Sequence, residues 1–314
     1  GTMEKRSLPG DTPAIRLRAH RRDQLYQFLL DSGQIRGAVL HATRMVGEMR
    51  ANHDLGPLET LVLGQAYVAA GMMCVNLKSP ESLTVRIECS GPIGGLAVEG
   101  SAHGEVRGYL SRNPIPVQAD GGVPRLRDLF GAGPGTLAVT KRLRGGSSPF
   151  TGVVDMRYGS LAEDLAYYYA TSEQTPSALN LSVSFDGAGH PTGAGGIFIQ
   201  ALPGARHASV REVERRLRDE SAIGAAFAGG EEPPDLLERV FGAHQPVILA
   251  RRRVLFMCHC SAERFRHHLA ALPRDELEDI LESGPLPVVT TCLFCNTTYR
   301  FGREIIMQLL KQSR

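Results

Sequence analysis

The sequence predicts an α+β fold in three parts: a large N-terminal domain, a helical linker and a small C-terminal domain. Two observations support this prediction. Strand patterns occur in runs over residues 22–200, with helical patterns grouped between them. Four of the six cysteines lie between positions 258 and 295. Strands in runs favour a mostly antiparallel sheet over alternating βαβ units.

The composition is that of an ordinary globular protein and argues against several classes of function. Apolar residues make up 42% of the 314 residues and charged residues 22%, so the chain can bury a core. The net charge of +2 supplies no strong field for nucleic acid or an anionic membrane. No stretch approaches about 18 consecutive apolar residues, and the N-terminus lacks the apolar run of a secretory signal. We therefore expect a cytoplasmic protein that binds neither nucleic acid nor membrane.

Residues 20–204 are predicted to form the large domain. Its first predicted elements are helices, each indicated by apolar residues at helical spacing. Pro57 suits the first turn of the third helix, and a later helix is predicted over 161–171. The apolar sides of the first three helices contain Leu25, Phe28 and Leu29; Met45, Val46 and Met49; and Leu58, Leu61, Val62, Ala66 and Ala69.

Strict alternation of apolar and polar residues at 83–89 predicts a half-buried strand. Leu83, Val85, Ile87 and Cys89 share one face of it. Gly and Pro turns separate the further strand candidates. These are residues 105–110, 136–143, 152–157, 179–185 and 195–201.

Residues 205–250 differ in character from the parts on either side. The stretch 211–218 is densely charged, and 224–234 is rich in Ala, Gly, Glu and Pro. Few large apolar residues can anchor such a segment, which favours a flexible linker with one charged helix and a second short helix near 235–241. The alternative is an ordinary helical hairpin packed on the large domain.

Residues 251–314 follow a small-domain pattern. A segment of this size with so few large apolar residues is marginal without a metal ion. Its predicted elements are helices around Phe265, Leu277 and Ile305, and a hairpin of 288–291 with 297–301 whose tip holds Cys292 and Cys295.

The spacing of the cysteines is the sharpest signal in the chain. Cys258-x-Cys260 is followed by Cys292-x-x-Cys295. Two close pairs at this separation are typical of a tetrahedral zinc site with four thiolates, because each pair spans one edge of the tetrahedron. Thiolates are also the form of cysteine that reacts with oxidants, and a CxC disulfide closes a small, strained ring that is easily reduced again. A permanent structural zinc site and a redox switch both remain open.

Other residues near the two pairs have weaker claims to a role in the site. His259, His267 and His268 could replace a thiolate ligand, but four thiols already complete the shell. The run Arg251 to Arg253 could offset the negative charge of the thiolates, or it could be a solvated end of the linker.

Outside the cysteine pairs, the sequence gives no motif for catalysis. Cys74 and Cys89 lie on apolar sides of their elements and are predicted to pack in the core. Ser172 has no His or Asp partner that a known motif would assign, and the glycine-rich stretches lack a phosphate-binding pattern. Four thiolates would also close the open position that a catalytic zinc needs. We expect a protein that is not an enzyme.

Together, these motifs resemble the redox-regulated chaperone family of the bacterial heat shock protein 33. The resemblance extends over nearly the whole chain, from about Asp23 to Phe301. In the large domain it rests on Asn52-His53-Asp54, Gly91-Pro92, Tyr169-Ala-Thr-Ser172-Glu173-Gln174-Thr-Pro176 and Ala194-Gly195-Gly196. Its most specific part is Cys258-x-Cys260-Ser261-x-Glu263-Arg264, Leu272-Pro273, the acidic helix Asp275 to Leu281, Cys292-x-x-Cys295-Asn296 and Tyr299-x-Phe301.

The resemblance implies an ATP-independent holdase that is inactive when reduced and bound to one zinc ion per chain. It implies that Cys258, Cys260, Cys292 and Cys295 are the zinc ligands. Oxidation would join Cys258 to Cys260 and Cys292 to Cys295, release the zinc and unfold the zinc domain and the linker. The activated protein would form a homodimer and bind unfolding client proteins. Ala262 stands where the family commonly has Arg, and this puts no ligand in doubt.

An alternative from a different class is a constitutive zinc-ribbon module that binds nucleic acid. Such a module would show salt-dependent affinity and a basic face. The near-neutral net charge and the low aromatic content of 6% argue against it.

Overall fold

The computed structural model describes residues 1–117, 122, 124–146 and 148–313. The helices are α1 (Pro13–Arg22), α2 (Thr43–His53), α3 (Pro57–Met73), α4 (Leu126–Phe130), α5 (Leu161–Ser172), α6 (His207–Asp219), α7 (Ile223–Ala228), α8 (Pro233–Phe241), α9 (Ala262–Ala270), α10 (Arg274–Ser283) and α11 (Arg303–Gln312). The strands are β1 (Gln24–Leu30), β2 (Ile35–His41), β3 (Ser82–Cys89), β4 (Gly95–Ser101), β5 (Glu105–Leu110), β6 (Gly135–Arg142), β7 (Phe150–Asp155), β8 (Ser177–Phe185), β9 (Pro191–Ala201), β10 (Val247–Arg253), β11 (Leu255–Phe256), β12 (Val288–Thr291) and β13 (Thr298–Phe301).

These strands form two large sheets and one hairpin, which confirms the predicted α+β class. The first sheet has the order β10-β1-β2-β9-β8, and the second has the order β11-β5-β4-β3-β6-β7. All pairings between neighbouring strands are antiparallel except that of β11 with β5, which is parallel. The predicted strands at 83–89, 105–110, 136–143, 152–157, 179–185 and 195–201 correspond to β3, β5, β6, β7, β8 and β9.

Helix α3 is the central element of the main core and contacts strands of both large sheets. Its side chains are apolar on nearly all sides, which is the pattern of a helix buried all round. By length and composition, the stretch Pro57–Asn76 could also cross a membrane, but 83% of its most apolar window is buried inside the fold. It therefore occupies the position of a core helix.

The helix predicted around Leu25, Phe28 and Leu29 is wrong, because these residues lie on strand β1. Both faces of this sheet are covered, so a strand can bury residues on either side. Leu25 points into the main core, whereas Phe28 and Leu30 belong to a second core on the opposite face. Apolar residues three positions apart therefore imitate the periodicity of a helix.

The second core lies between the outer face of the first sheet and helices α6, α7 and α8. Phe28, Ile197 and Ile199 contribute from the sheet, and Phe227 and Phe241 contribute from the helices. Helix α7 lies in the Ala- and Gly-rich stretch where we expected no helix. Each large apolar side chain that is fully buried in this way contributes about 1.5–3 kcal/mol.

The last part of the chain returns to the large domain before it forms the hairpin. Strand β10 pairs with β1, and β11 then pairs with β5 of the other sheet. The predicted hairpin and all three predicted C-terminal helices are present as β12–β13, α9, α10 and α11. The boundaries predicted for three domains, at 204/205 and 250/251, stay a prediction.

Candidate metal centre

The fold brings the thiols of Cys258, Cys260, Cys292 and Cys295 into one buried cluster. All four sulfur atoms lie within 4.8 Å of one another. The Sγ atoms of Cys258 and Cys292 are 3.8 Å apart, and those of Cys260 and Cys295 are 3.4 Å apart. A tetrahedron with zinc–sulfur bonds of about 2.3 Å has edges of about 3.8 Å, so the cluster has the size that such an ion requires. Four close cysteines could therefore hold a metal ion here.

Strand β11 positions the first cysteine pair. The amide of Met257 donates to the carbonyl of Val106 at 3.1 Å, which extends the parallel pairing with β5 to the edge of the site. The chain then leaves the sheet at Cys258, and Ser261 caps helix α9 by accepting a hydrogen bond from the amide of Arg264. The CxC pair thus lies between a strand end and a helix start.

The hairpin positions the second pair. Thr291 is the last residue of β12 and pairs with Thr298 of β13, so Cys292 and Cys295 lie in the loop between them. The amide of Asn296 donates to the carbonyl of Cys292 at 2.7 Å. Asn296 has a φ of 61°, and Asn tolerates this left-handed conformation better than most residues.

Three side chains make polar contacts with the sulfur atoms. The guanidinium of Arg107 donates to Cys258 Sγ at 3.2 Å and lies over the ring of Phe294 at 4.5 Å. The hydroxyl of Tyr299 is 3.0 Å from Cys260 Sγ, and Thr297 Oγ1 is 3.2 Å from Cys295 Sγ. These contacts fix the orientation of the ligands and tune their basicity, as outer groups do around metal sites.

Without a metal ion, the thiols influence each other's ionisation. Hydrogen bonds from the thiols of Cys292 and Cys295, and then from Arg107, hold the pKa of Cys258 far below its usual value. The hydrogen bond with Cys258 raises the pKa of Cys292 to about 11, and the same partner raises that of Cys295 further. A metal ion would bind all four as thiolates.

The cysteine hairpin is docked on the large domain by the end of helix α2. Asn52 Nδ2 donates to the carbonyl of Cys295 at 2.9 Å, and Asn296 Nδ2 donates to the carbonyl of Asn52 at 2.8 Å. His53 Nε2 lies 3.1 Å from the carbonyl of Phe294, and the amide of Gly108 donates to that same carbonyl at 3.2 Å. The site is thus tied to both α2 and β5.

The structure separates the cluster from the other candidate residues. His259, His267 and His268 are exposed, and His259 Nε2 contacts Glu105 at 2.6 Å instead of a cysteine. Cys74 is buried in the main core, as predicted, and Cys89 packs against it while half-buried.

The cation that donates to a cysteine sulfur, among the described residues, is Arg107, which lies outside the run 251–253. Arg252 donates to the carbonyls of Ala102 and Val75, away from the cysteines. Arg107 and Asn52 were missed as partners of the site, because no local pattern links them to cysteines so distant in sequence. The motif Asn52-His53 is identified in the sequence only as part of the family resemblance.

Comparisons with known proteins agree with this site and fold. The family model described as Hsp33 protein matches residues 23–302. The chain is 34% identical to a 33 kDa chaperonin of Limosilactobacillus fermentum and 35% identical to one of Desulforamulus reducens. Each comparison covers 92% of this chain and 98% of the relative.

A solved structure is also similar. The crystal structure of the 33 kDa chaperonin (heat shock protein 33 homolog) of Thermotoga maritima matches with a TM-score of 0.83 and 30% identity, and the match covers 93% of this chain and 98% of that one. Because the family model and these relatives span nearly the whole sequence, the chain belongs to the Hsp33 family of 33 kDa chaperonins.

Proposed function

We propose that this protein is a redox-regulated, ATP-independent holdase chaperone with no enzymatic turnover. Family membership supports the chaperone function. The observation that supports the regulation is the buried cluster of four thiols, with all sulfur atoms within 4.8 Å of one another. In the proposed inactive state, Cys258, Cys260, Cys292 and Cys295 are reduced and hold one zinc ion per chain.

The thiols fit zinc by chemistry as well as by size. Soft thiolate donors select zinc over hard cations such as Mg²⁺ or Ca²⁺. When bound, zinc would be enclosed by the four thiolates. It would keep the sulfur atoms deprotonated and would stabilise the fold of the small C-terminal region. Arg107 would then orient Cys258, and Tyr299 would orient Cys260.

The proposed activation step is the oxidation of each pair to a disulfide. Cys258 joins Cys260 and Cys292 joins Cys295; each new S–S bond forms from two thiolates and releases two electrons. One molecule of peroxide per disulfide accepts these electrons and, with two protons from the solvent, becomes two molecules of water. The short sulfur contacts at 3.8 and 3.4 Å each join a cysteine of one pair to a cysteine of the other, so bonding within the pairs requires the sulfur atoms to shift from these contacts.

Oxidation removes the donors from the metal site, and the C-terminal region loses the contribution that holds its fold together. Strand β10 lies a few residues before Cys258 and forms one edge of the first sheet. Unfolding from residue 251 back through the linker at 205–250 would uncover the outer face of that sheet. We infer that Phe28, Ile197 and Ile199 on this face bind unfolding clients.

The proposal includes two statements about the cellular state of the protein. We propose that it works in the cytoplasm, where a reducing environment keeps the four cysteines reduced until oxidative stress. We also propose that the oxidised form is a homodimer built on the large domain, residues 20–204. The thiols of Cys74 and Cys89 take no part in the switch.

The deciding experiment compares the reduced, zinc-loaded protein with the oxidised protein. Peroxide is added at elevated temperature, and zinc release is followed with a chromogenic chelator while circular dichroism records helix content. We expect one zinc ion released per chain, loss of helix, and suppression of the aggregation of a heat-denatured client by the oxidised form alone. Equal suppression by both forms, or retention of zinc with an intact fold, would refute the switch.

A further inference from the structure

The residues before position 23 form an arm that the family model does not include, since its match begins at residue 23. We define the N-terminal arm as residues 3–22, with helix α1 at its end. Helix α1 has no buried residues, so it gains little from packing of its own. The first residues of the arm, in contrast, run over the cysteine cluster and are held there by several contacts.

The start of the arm contacts the first cysteine pair directly. The sulfur of Met3 accepts a hydrogen bond from the amide of Cys258 at 3.1 Å, and the amide of Glu4 donates to Thr297 Oγ1 at 3.0 Å. A cavity of about 560 Å³ lies beneath this stretch, and Met3 and Lys5 line it together with Cys258 and Cys260. The arm therefore forms one wall of the space through which these thiols would be reached.

Asn52 holds the arm and the cysteine hairpin at the same time. Its Oδ1 accepts a hydrogen bond from the amide of Arg6 at 2.8 Å, and its Nδ2 donates to the carbonyl of Glu4 at 2.9 Å. The same Nδ2 donates to the carbonyl of Cys295 at 2.9 Å. A buried side chain with these three partners couples the position of the arm to that of the metal site.

A network of charged side chains anchors the arm to helix α2. Arg44 makes two hydrogen bonds to Asp11, at 2.8 and 2.9 Å, and its Nε donates to Glu48 at 2.8 Å. Lys5 Nζ donates to the other oxygen of Glu48 at 2.8 Å. The side chains of Arg44, Asp11 and Glu48 are only 7%, 4% and 3% exposed, so water screens these pairs little. The arm is thus fixed at two points, Lys5 and Asp11, which lie between Met3 and the start of α1.

One cysteine of each pair borders a different space. A cavity of about 160 Å³ lies between Arg107 and helix α9, and Cys260 and Cys292 line it. No residue of the arm lines this second cavity. Cys258 lines the cavity beside the arm but not this second one, so the arm can affect access to Cys258 more than access to Cys292.

We propose that the N-terminal arm shields the Cys258-x-Cys260 pair and sets the rate at which oxidants and thiol reagents reach it. The regulatory meaning of this shielding rests on the proposed function, whereas the shielding itself does not. Release of the arm opens the larger cavity and leaves Cys258 and Cys260 more reactive than Cys292 and Cys295. The arm thereby adjusts the sensitivity of this chain to oxidants.

The test uses the full chain with Lys5→Ala and Asp11→Ala, which remove the two ionic anchors. Arg44 and Glu48 stay paired with each other, so neither is left buried and alone. The control carries Arg18→Ala and Arg21→Ala, two exposed residues of helix α1 in the same arm. A third variant, Met3→Ala, removes the contact with Cys258 while both anchors remain.

Reduced protein is labelled with pulses of N-ethylmaleimide, and mass spectrometry gives a rate for each cysteine pair. In the anchor variant we expect labelling of Cys258 and Cys260 to accelerate at least about fivefold relative to Cys292 and Cys295, the factor that a modest loss of local stability produces. Met3→Ala should change the same ratio in the same direction, and the control should match the unchanged protein.

An unchanged ratio in both the anchor variant and Met3→Ala would refute the shielding. This result is separate from a failure of the chaperone switch, because labelling needs neither oxidation nor a client. If the ratio changes while the oxidised protein fails to protect a client, the shielding stands and the proposed function falls. If the ratio stays the same while the oxidised protein protects a client, the shielding falls and the proposed function stands.

Discussion

The buried cysteines of this chain occupy two kinds of environment. Cys258 and its three partners are buried together, and charged or hydroxyl groups contact their sulfur atoms. Cys74 is buried alone at the end of α3, where removal from water raises the pKa of its thiol to about 12. The two groups are nearly equally hidden from solvent, since Cys258 and Cys74 are each 2% exposed.

Burial alone therefore does not decide whether a cysteine favours its thiol or its thiolate form. In an apolar pocket, burial disfavours the thiolate, and the cysteine behaves as a small hydrophobic residue. In the cluster, hydrogen-bond donors and neighbouring thiols favour at least one thiolate, and a metal ion would favour all four. The difference lies in the partners within about 4 Å of the sulfur, which is the reach of a hydrogen bond to sulfur.

The largest effect is expected from removing one member of the cluster. Cys292→Ser should abolish tight zinc binding, because three thiolates and a hydroxyl form a far weaker site. Structural zinc supplies about 10–16 kcal/mol of apparent binding free energy to a small domain, more than such a domain can lose and stay folded. Zinc content per chain and amide hydrogen exchange in β12 and β13 measure both consequences. Cys74→Ala is the matched control and should keep its zinc.

A retained zinc ion with unchanged exchange protection in β12 and β13 would contradict this prediction. It would mean that packing alone keeps the hairpin folded. The four thiols would then, like Cys74, have only a packing role. Loss of zinc in both Cys292→Ser and Cys74→Ala would also remove the distinction between the two environments.

An intermediate effect is expected at Arg107, which touches the cluster from the large domain. Arg107→Ala leaves Cys258 without its charged donor and Phe294 without the guanidinium on its ring. The loss of a hydrogen bond to a charged group costs about 1.5–3 kcal/mol. The transfer of zinc from the protein to a chelator should therefore accelerate about tenfold or more. Arg86→Ala, an exposed residue of β3 in the same sheet, is the control. Equal transfer rates in the two variants would show that Arg107 does not support the site.

The sequence predicts a structural element well where the pattern that indicates it lies within one short stretch of the chain. In the C-terminal region, the three helices and the hairpin were predicted, because each short helix carries its own apolar stripe and the hairpin tip carries its own CxxC motif. Strands β10 and β11, which pair with distant strands, were not predicted. The four cysteines were predicted to meet, and their sulfur atoms do so.

Strands buried on both faces were harder to predict. The pattern of strand β1 imitates that of a helix, because Leu25 and Phe28 are three positions apart and face different cores. Strand β4 carries several buried residues in succession, without the alternation that identified β3. In both cases the second covering layer comes from elements far away in sequence, and a local pattern contains no information about it.

The partners of the metal centre were not predictable in the same sense. Arg107 is 151 positions from Cys258, and Asn52 is 243 positions from Cys295. Their roles depend on the parallel pairing of β11 with β5 and on the docking of the hairpin against α2. A single sequence predicts a four-thiol site from spacing, but it does not indicate which cation lies beside it.

A smaller effect is expected where Cys74 packs in the main core. A methyl group on Gly100 of β4 would lie 2.6 Å from Cys74 Sγ, so the two residues fit closely. Gly100→Ala should therefore cost about 1–3 kcal/mol by overpacking. In the background of Cys74→Ala the same substitution should cost less, and a double-mutant cycle from urea unfolding measures the coupling. A coupling energy of zero would show that the thiol has no specific packing role.

The smallest effect is expected for Cys89→Ser. Cys89 ends β3 and is half-buried, and partial removal from water raises the pKa of its thiol, so it is a poor nucleophile at neutral pH. A hydroxyl of similar size at this position should change the free energy of unfolding by no more than about 0.5 kcal/mol, as at other positions outside the core. Zinc content and the response to peroxide should stay the same. If oxidation no longer released zinc or activated the variant, a fifth thiol would belong to the switch, and reactivity in this chain would not be confined to the cluster.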